Sequence, residues 1–252
     1  MLEMHSVVCE INGKRLLDIE QLQIDSGLLF GLLGANGAGK STLLKVLSGD
    51  MPSRGEMRFH GKHLHDWPAL MRARHVAVLP QASQLSFPFN AEEVVSLGLT
   101  PLTMSRREGR QQTRHYMQQT DCWQFANRSY LSLSGGERQR VQLARVLLQL
   151  SQAEQTPLLL LDEPTSAQDL GQQHQILALA QQLCSEKNYS VVAILHDLNQ
   201  VLRYCQRCCL LKAGQLTHQG EPQALLSGDV IESHWQYRPE RVTLDNGQLA
   251  LI

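Results

Sequence analysis

Leu28-Leu29-Phe30-Gly31-Leu32-Leu33-Gly34-Ala35-Asn36-Gly37-Ala38-Gly39-Lys40-Ser41-Thr42-Leu43-Leu44 is the stretch on which the fold turns. Residues 28–33 are almost wholly apolar and short, the pattern of a core strand. A glycine-rich loop follows at once. Residues 41–47 then take helical periodicity, and Gly49 ends it. Gly34 to Ser41 has the spacing G-x-x-x-x-G-K-[ST]. Each residue type in it has a physical reason. Glycines let backbone N–H groups wrap phosphate oxygens without side-chain clashes. Lys40 offers a point charge, the Ser41 hydroxyl is a ligand for a divalent cation, and the helix start aims its positive end at the same place. Candidate phosphate contacts are therefore Gly34, Ala35, Asn36, Gly37, Ala38, Gly39, Lys40, Ser41 and Thr42. An ordinary glycine turn is the alternative, and the strand before and helix after disfavour it.

Outward from this loop the pattern is α/β. Residues 1–33 alternate polar and apolar, with turn signals at Asn12-Gly13 and Ser26-Gly27, and predict a small β-region. Further strands are expected at 56–60 and 75–79. From 82 to about 150 helical periodicity dominates, clearest at 92–97, 109–119 and 137–149, as in a helical lobe inserted into a single domain spanning 1–252. The core resumes with strand 157–161, helix 172–185, strand 190–195, helix 198–205 and strand 208–212. Strands alternating with helices predict a mostly parallel core sheet. Asp245-Asn246-Gly247 marks a terminal hairpin between 242–244 and 248–252.

Composition bounds the function. At 42% hydrophobic residues over 252 positions a packed core is within reach. The net charge of −1 gives no basic footprint for nucleic acid. No apolar run is long enough for a membrane helix, and residues 1–10 lack the pattern of a secretory signal. A cytoplasmic chain is expected, touching membrane only through a partner. Cys205, Cys208 and Cys209 sit close in sequence, yet Cys208-Cys209-Leu210-Leu211 reads as a buried strand in which cysteine acts as a small hydrophobe.

Two further stretches carry chemistry. Leu158-Leu159-Leu160-Leu161-Asp162-Glu163 is an apolar strand ending in two carboxylates: Asp162 is placed to hold a cation, and Glu163 to polarise a water as general base. Leu133-Ser134-Gly135-Gly136-Glu137-Arg138-Gln139-Arg140 contains a capping box, Ser134-x-x-Glu137. Its two glycines ahead of a long helix also make a second anion-binding helix start. One nucleotide needs only one such loop, so a second implies that two chains share each nucleotide.

In this order, 34–41, 133–137 and 161–163 resemble the three defining motifs of the ATP-binding-cassette ATPases, and the resemblance covers essentially the whole chain. It implies a P-loop ATPase fold, with an antiparallel β-region beside the parallel core and an inserted helical lobe, that binds and hydrolyses ATP with Mg²⁺. It implies nucleotide contacts from Ser134, Gly135 and Gly136, and Mg²⁺ contacts from Ser41, Gln81 and Asp162. Gln81 matches the glutamine at the hinge into the helical lobe, and His196 the switch histidine, so Glu163, His196 and Gln81 form the implied catalytic set. Asp169 matches the residue that crosses the dimer interface. The sequence departs from the family twice. No aromatic stands near Ile11 to stack on adenine, and Gln168 occupies a position where leucine is common.

The resemblance also implies partners. They are a second copy of this chain, a membrane permease dimer and, indirectly, a periplasmic substrate-binding protein, with the ATPase peripheral at the cytoplasmic face of a bacterial inner membrane and no nucleic acid. Leu79-Pro80-Gln81-x-Ser83, then Pro88-Phe89, Glu93-Val94-Val95 and Gly98, resemble bacterial haem and iron-chelate importers; the extension at 149–156 is similar to that of haem and vitamin B12 importers. Haem is the expected cargo, with vitamin B12 or an iron siderophore next. DNA-repair cassettes carry long coiled-coil insertions where this chain has a compact lobe. Pro88-Phe89 is expected to help dock the permease or else to anchor the lobe. His60, His63 and His65 read as a solvated turn, Met117 and Trp123 as packing residues, and Arg106-Arg107 with Arg110 as a solvated basic face.

Overall fold

A computed structural model describes residues 1–81, 87–166, 168–245 and 247–252. Along the chain run β1 (Leu2–Ile11), β2 (Lys14–Ile24), β3 (Leu29–Leu33), α1 (Lys40–Ser48), β4 (Arg54–Phe59), β5 (Lys62–His63), α2 (Ala69–His75), β6 (Val76–Leu79), α3 (Ala91–Ser96), α4 (Arg106–Gln119), α5 (Gly135–Gln149) and β7 (Leu158–Leu161). Then follow α6 (Leu170–Lys187), β8 (Ser190–Ile194), α7 (Leu198–Tyr204), β9 (Arg207–Lys212), β10 (Gln215–Gly220), α8 (Pro222–Leu225), α9 (Gly228–Trp235), β11 (Arg241–Thr243) and β12 (Leu249–Leu251). Contacts divide the chain into two compact units, Met1–Asp66 with Leu177–Ile252, and Trp67–Ile176.

The first unit is built on a sheet of order β5-β4-β1-β2-β10-β9-β3-β8. Around β3 it is parallel: Leu32 pairs with Ile194 of β8 and with Cys209 of β9. Towards β5 it is antiparallel. Sequence character explains the split. β3 and β8 are buried at every position, as a strand covered on both faces must be, whereas β1 and β2 alternate between buried and exposed residues. The β1–β2 connection is a two-residue turn in which Asn12 (φ 51) and Gly13 (φ 73) both take positive φ, the geometry that matches strand twist. Cys208 and Cys209 lie inside β9 with no exposed surface, and all six cysteines are free and buried. Burial pushes the Cys208 thiol up to about 12, so it packs as a neutral apolar group.

The expected terminal hairpin forms, with Val242 opposite Ala250; its Asn246 lies outside the described residues. Asn199 of α7 clips β12 by accepting from Leu251 N at 2.8 Å and donating to Leu251 O at 3.0 Å.

In the second unit β6 and β7 pair in parallel, Leu79 opposite Leu161. α5 is its central helix, burying Val141, Leu143, Ala144 and Val146 to Leu148. The polar residues inside it are paired: Gln142 donates to the Tyr130 hydroxyl at 3.0 Å and accepts from Arg145 at 2.7 Å. Three helices of this unit begin with complete capping boxes, at Asn90, Ser105 and Ser134. The extension at 149–156 is fastened to α2 and the start of β6: Gln149 donates to the carbonyls of Ala73 and Val76, and buried His75 accepts from Glu154 N at 3.1 Å.

Candidate functional site

In the first unit the glycine loop leaves β3 and enters α1 through three positive-φ glycines, Gly34 (φ 146), Gly37 (φ 79) and Gly39 (φ 103). Their reasons differ. A Cβ on Gly34 would lie 2.4 Å from the Leu211 carbonyl oxygen, because β9 runs directly alongside. At Gly37 a Cβ would meet nothing within 4 Å, so that position needs glycine for its backbone alone. Ala35, Asn36 and Gly37 are exposed at the loop's crest, and Gly39 caps α1 in the left-handed conformation. Buried Lys40 folds back over the loop, its Nζ donating to Gly34 O at 2.8 Å and Ala35 O at 3.1 Å. Ser41 is exposed and Thr42 half-exposed on the first turn of α1, which carries no acidic residue. A cation, an open helix start and exposed backbone amides thus converge where an anion is favoured.

The same end of this sheet presents His196. Leu32 and Ile194 are register partners, so Gly34 and His196 each stand two residues beyond a paired strand end. His196 is exposed just before Asp197, whose carboxylate caps α7 by accepting from Asn199 N at 2.8 Å and Gln200 N at 3.3 Å. The carboxyl ends of parallel strands are where open α/β sheets bind ligands.

In the second unit the parallel pair β6–β7 brings Gln81 and Glu163 together. Leu79 O accepts from Asp162 N at 2.9 Å, and just beyond it Gln81 Nε2 donates to Glu163 Oε2 at 2.5 Å. Asp162 and Glu163 are half-exposed. Glu163 has φ 51, uncommon for a residue other than glycine, and its carbonyl accepts from both Ser166 N (3.1 Å) and Ser166 Oγ (2.9 Å). Ser134 starts α5: its Oγ accepts from Glu137 N at 3.3 Å, while its own N–H donates to the Glu137 carboxylate at 2.7 Å. That backbone N–H holds the Glu137 carboxyl below its ordinary range. At Gly135 an added Cβ would meet nothing within 4 Å.

Gln168 lies in a polar setting. Its Nε2 donates to Gln139 Oε1, and Gln139 Nε2 donates to Pro164 O at 2.6 Å. Sequence reading missed Gln139 and Ser166, whose partners are set by tertiary contact and leave no local pattern. Ile11 is partly exposed, an apolar side chain at the position where the family places an aromatic. Phe89 is half-buried and its carbonyl accepts from Tyr130 N; the more exposed ring is Phe87, with its centroid 6.1 Å from that of Phe89. Ser83 and Ala167 lie outside the described residues.

The profile of the family described as "ABC transporter" matches residues 17–166, more than half of the chain. A protein of Shewanella denitrificans named Hemin import ATP-binding protein HmuV is 46% identical over 253 residues, covering all of both chains. One of the same name from Vibrio cholerae is 47% identical, covering 92% of this chain and 90% of that one. Among solved structures, a metal-chelate type ABC transporter in an inward-facing conformation superposes with a TM-score of 0.82 at 24% identity, over 100% of this chain and 96% of that one. A dimeric ATP-binding cassette in a post-hydrolysis state, bound to ADP and Pi, gives 0.77 at 26% identity, over 88% and 99%.

Proposed function

The chain belongs to the ABC transporter family, and on that premise we propose that it is the ATP-binding and ATP-hydrolysing subunit of an importer whose cargo is hemin. The observation that carries the cargo is 46% identity with a protein named for hemin import, over 100% of both sequences.

In the proposed mechanism Lys40 leaves the carbonyls of Gly34 and Ala35 for the β- and γ-phosphates, while backbone amides from Gly34 to Thr42 wrap them. Glu163 accepts a proton from the water that attacks the γ-phosphorus, and the Gln81 amide, already bonded to its Oε2, fixes that carboxylate. His196 donates to the γ-phosphate. Ser134, Gly135 and Gly136 offer a second helix start to the nucleotide of a partner copy, so a homodimer makes the working site.

Mg²⁺ fits the donor chemistry: the Ser41 hydroxyl, the Asp162 carboxylate and the Gln81 amide are all oxygen ligands of the hard kind this ion takes. Bound there, it would neutralise phosphate charge.

No described helix is long and apolar enough to cross a membrane. Translocation is therefore assigned to a permease dimer, supplied by a periplasmic binding protein, with this subunit peripheral on the cytoplasmic face of the inner membrane. The test is ATPase activity of the chain co-purified with its permease in liposomes. Hemin delivered by the binding protein should stimulate turnover, while cobalamin and ferric siderophores should not. Stimulation by either of those and not by hemin would replace the cargo.

A further inference from the structure

Glu163 occupies the left-handed region, which is strained for a non-glycine residue and persists only where neighbours over-determine it. The neighbours are visible on both sides of the strained peptide. Ser166 secures the Glu163 carbonyl twice. The next carbonyl, that of buried Pro164, is held by a side chain 25 residues away in sequence: Gln139 Nε2, at 2.6 Å. Gln139 uses its other end too, accepting from Gln168 Nε2. Gln168 is fastened in turn, its backbone carbonyl accepting from Gln173 Nε2 at 3.1 Å. Its own Oε1 is buried without a partner among the described residues, an arrangement that costs free energy and fits a side chain placed for its donor end.

This chain of amides also accounts for a glycine. Gly136 has no positive φ, so its backbone does not demand glycine. A Cβ there would come within 2.9 Å of Gln172 Oε1 and 3.5 Å of Gln168 Oε1. Gly136 leaves the room in which Gln168 and Gln172 lie across the start of α5.

We propose that Gln139 and Gln168 are positioning residues for ATP hydrolysis, an amide clasp from α5 that holds the turn after β7 and so aims the Glu163 carboxylate. The proposal rests on the assignment of Glu163 as general base. Ser166 acts from within the turn and travels with it; Gln139 anchors the turn to the helix that begins at Ser134. Leucine at position 168 fills space but has no donor. Gln139 Oε1 would then lose its partner, and the amide would be free to rotate away from Pro164.

The test is steady-state ATPase kinetics with ATP binding measured separately. Gln139→Leu should lower kcat roughly ten- to a hundredfold, the scale on which sub-ångström misplacement of a catalytic group is felt. ATP affinity should stay within about twofold, since no phosphate contact is touched. Gln168→Leu, the milder variant should Gln139→Leu fold poorly, should lower kcat several-fold and add nothing to Gln139→Leu. In a Glu163→Gln background, Gln139→Leu should leave the residual rate unchanged, because the group it aims is gone. A Gln139→Leu enzyme with wild-type kcat, or one whose loss multiplies that of Glu163→Gln, overturns the clasp. Normal turnover by Glu163→Gln alone would instead overturn the underlying assignment of the base.

Discussion

Replacing Gly34 with alanine separates steric from conformational demand in the phosphate loop. At φ 146 an L-residue pays roughly 1–3 kcal/mol of backbone strain. The new Cβ would also sit 2.4 Å from the Leu211 carbonyl oxygen, well inside the ~3.3 Å of even a close carbon–oxygen approach. Because that oxygen is backbone at the end of β9, β3 and β9 must part by most of an ångström, an overpacking cost of about 1–3 kcal/mol. The sum, roughly 2–6 kcal/mol, corresponds to a Tm lower by about 5–20 °C at ~2–4 °C per kcal/mol for a chain of this size. Gly37→Ala is the matched control: φ is 79 but nothing lies within 4 Å, so only ~1–2 kcal/mol of left-handed strain applies. Thermal melts of both variants and titration with a fluorescent ATP analogue are the assays. Gly34→Ala should melt well below Gly37→Ala and bind nucleotide weakly. Equal melting temperatures, or wild-type affinity in Gly34→Ala, would refute the close approach of β9 as the reason for this glycine.

The shared-nucleotide arrangement predicts that Ser134→Arg keeps ATP binding in a single chain but abolishes hydrolysis, and that mixing it with Lys40→Ala restores at most one working site per dimer; a fully active Ser134→Arg enzyme contradicts it. Phe89, half-buried and bonded through its backbone to Tyr130, should cost about half of the ~3–5 kcal/mol of a core aromatic on truncation to alanine, while Phe87→Ala leaves the melting temperature unchanged. Loss of permease association in Phe87→Ala, read by co-purification, would mark the exposed ring as the docking element. Glu137 contributes a pH dependence: its native carboxyl lies below the ordinary 4.5, so its contribution is present above that value and is lost as pH falls through the depressed one. Glu137→Gln should therefore show a shallower fall of melting temperature below about pH 4.5 than wild type, and parallel curves would argue against the charged cap.

Much of the fold was legible because burial dictates pattern. β3 and β8 are buried on both faces and appear as unbroken apolar runs; Asn12-Gly13 advertises its turn; Ser134 announces α5 by its capping glutamate. β10 was illegible because it is mostly polar and half-exposed, and because its entry turn uses Ala213 (φ 49) before Gly214 (φ 80), where alanine gives no turn signal. α2, α8 and α9 span 7, 4 and 8 residues, too short for a helical period to show in the sequence. In the candidate site, the loop at 34–41 and the carboxylates after β7 are local patterns and could be read directly. The bond from Gln81 to Glu163 spans 82 residues and that from Gln168 to Gln139 spans 29, so only the folded chain reveals them.

The central claim is that Glu163 is the base of an ATP hydrolase, and ATP turnover by Glu163→Gln tests it most directly. The amide accepts no proton from water yet keeps the loop at Gly34 to Ser41 intact. The variant should bind ATP with near-native affinity, hydrolyse it at least about a hundredfold more slowly, and run as an ATP-bound dimer on gel filtration. Turnover within a few-fold of wild type would contradict the account.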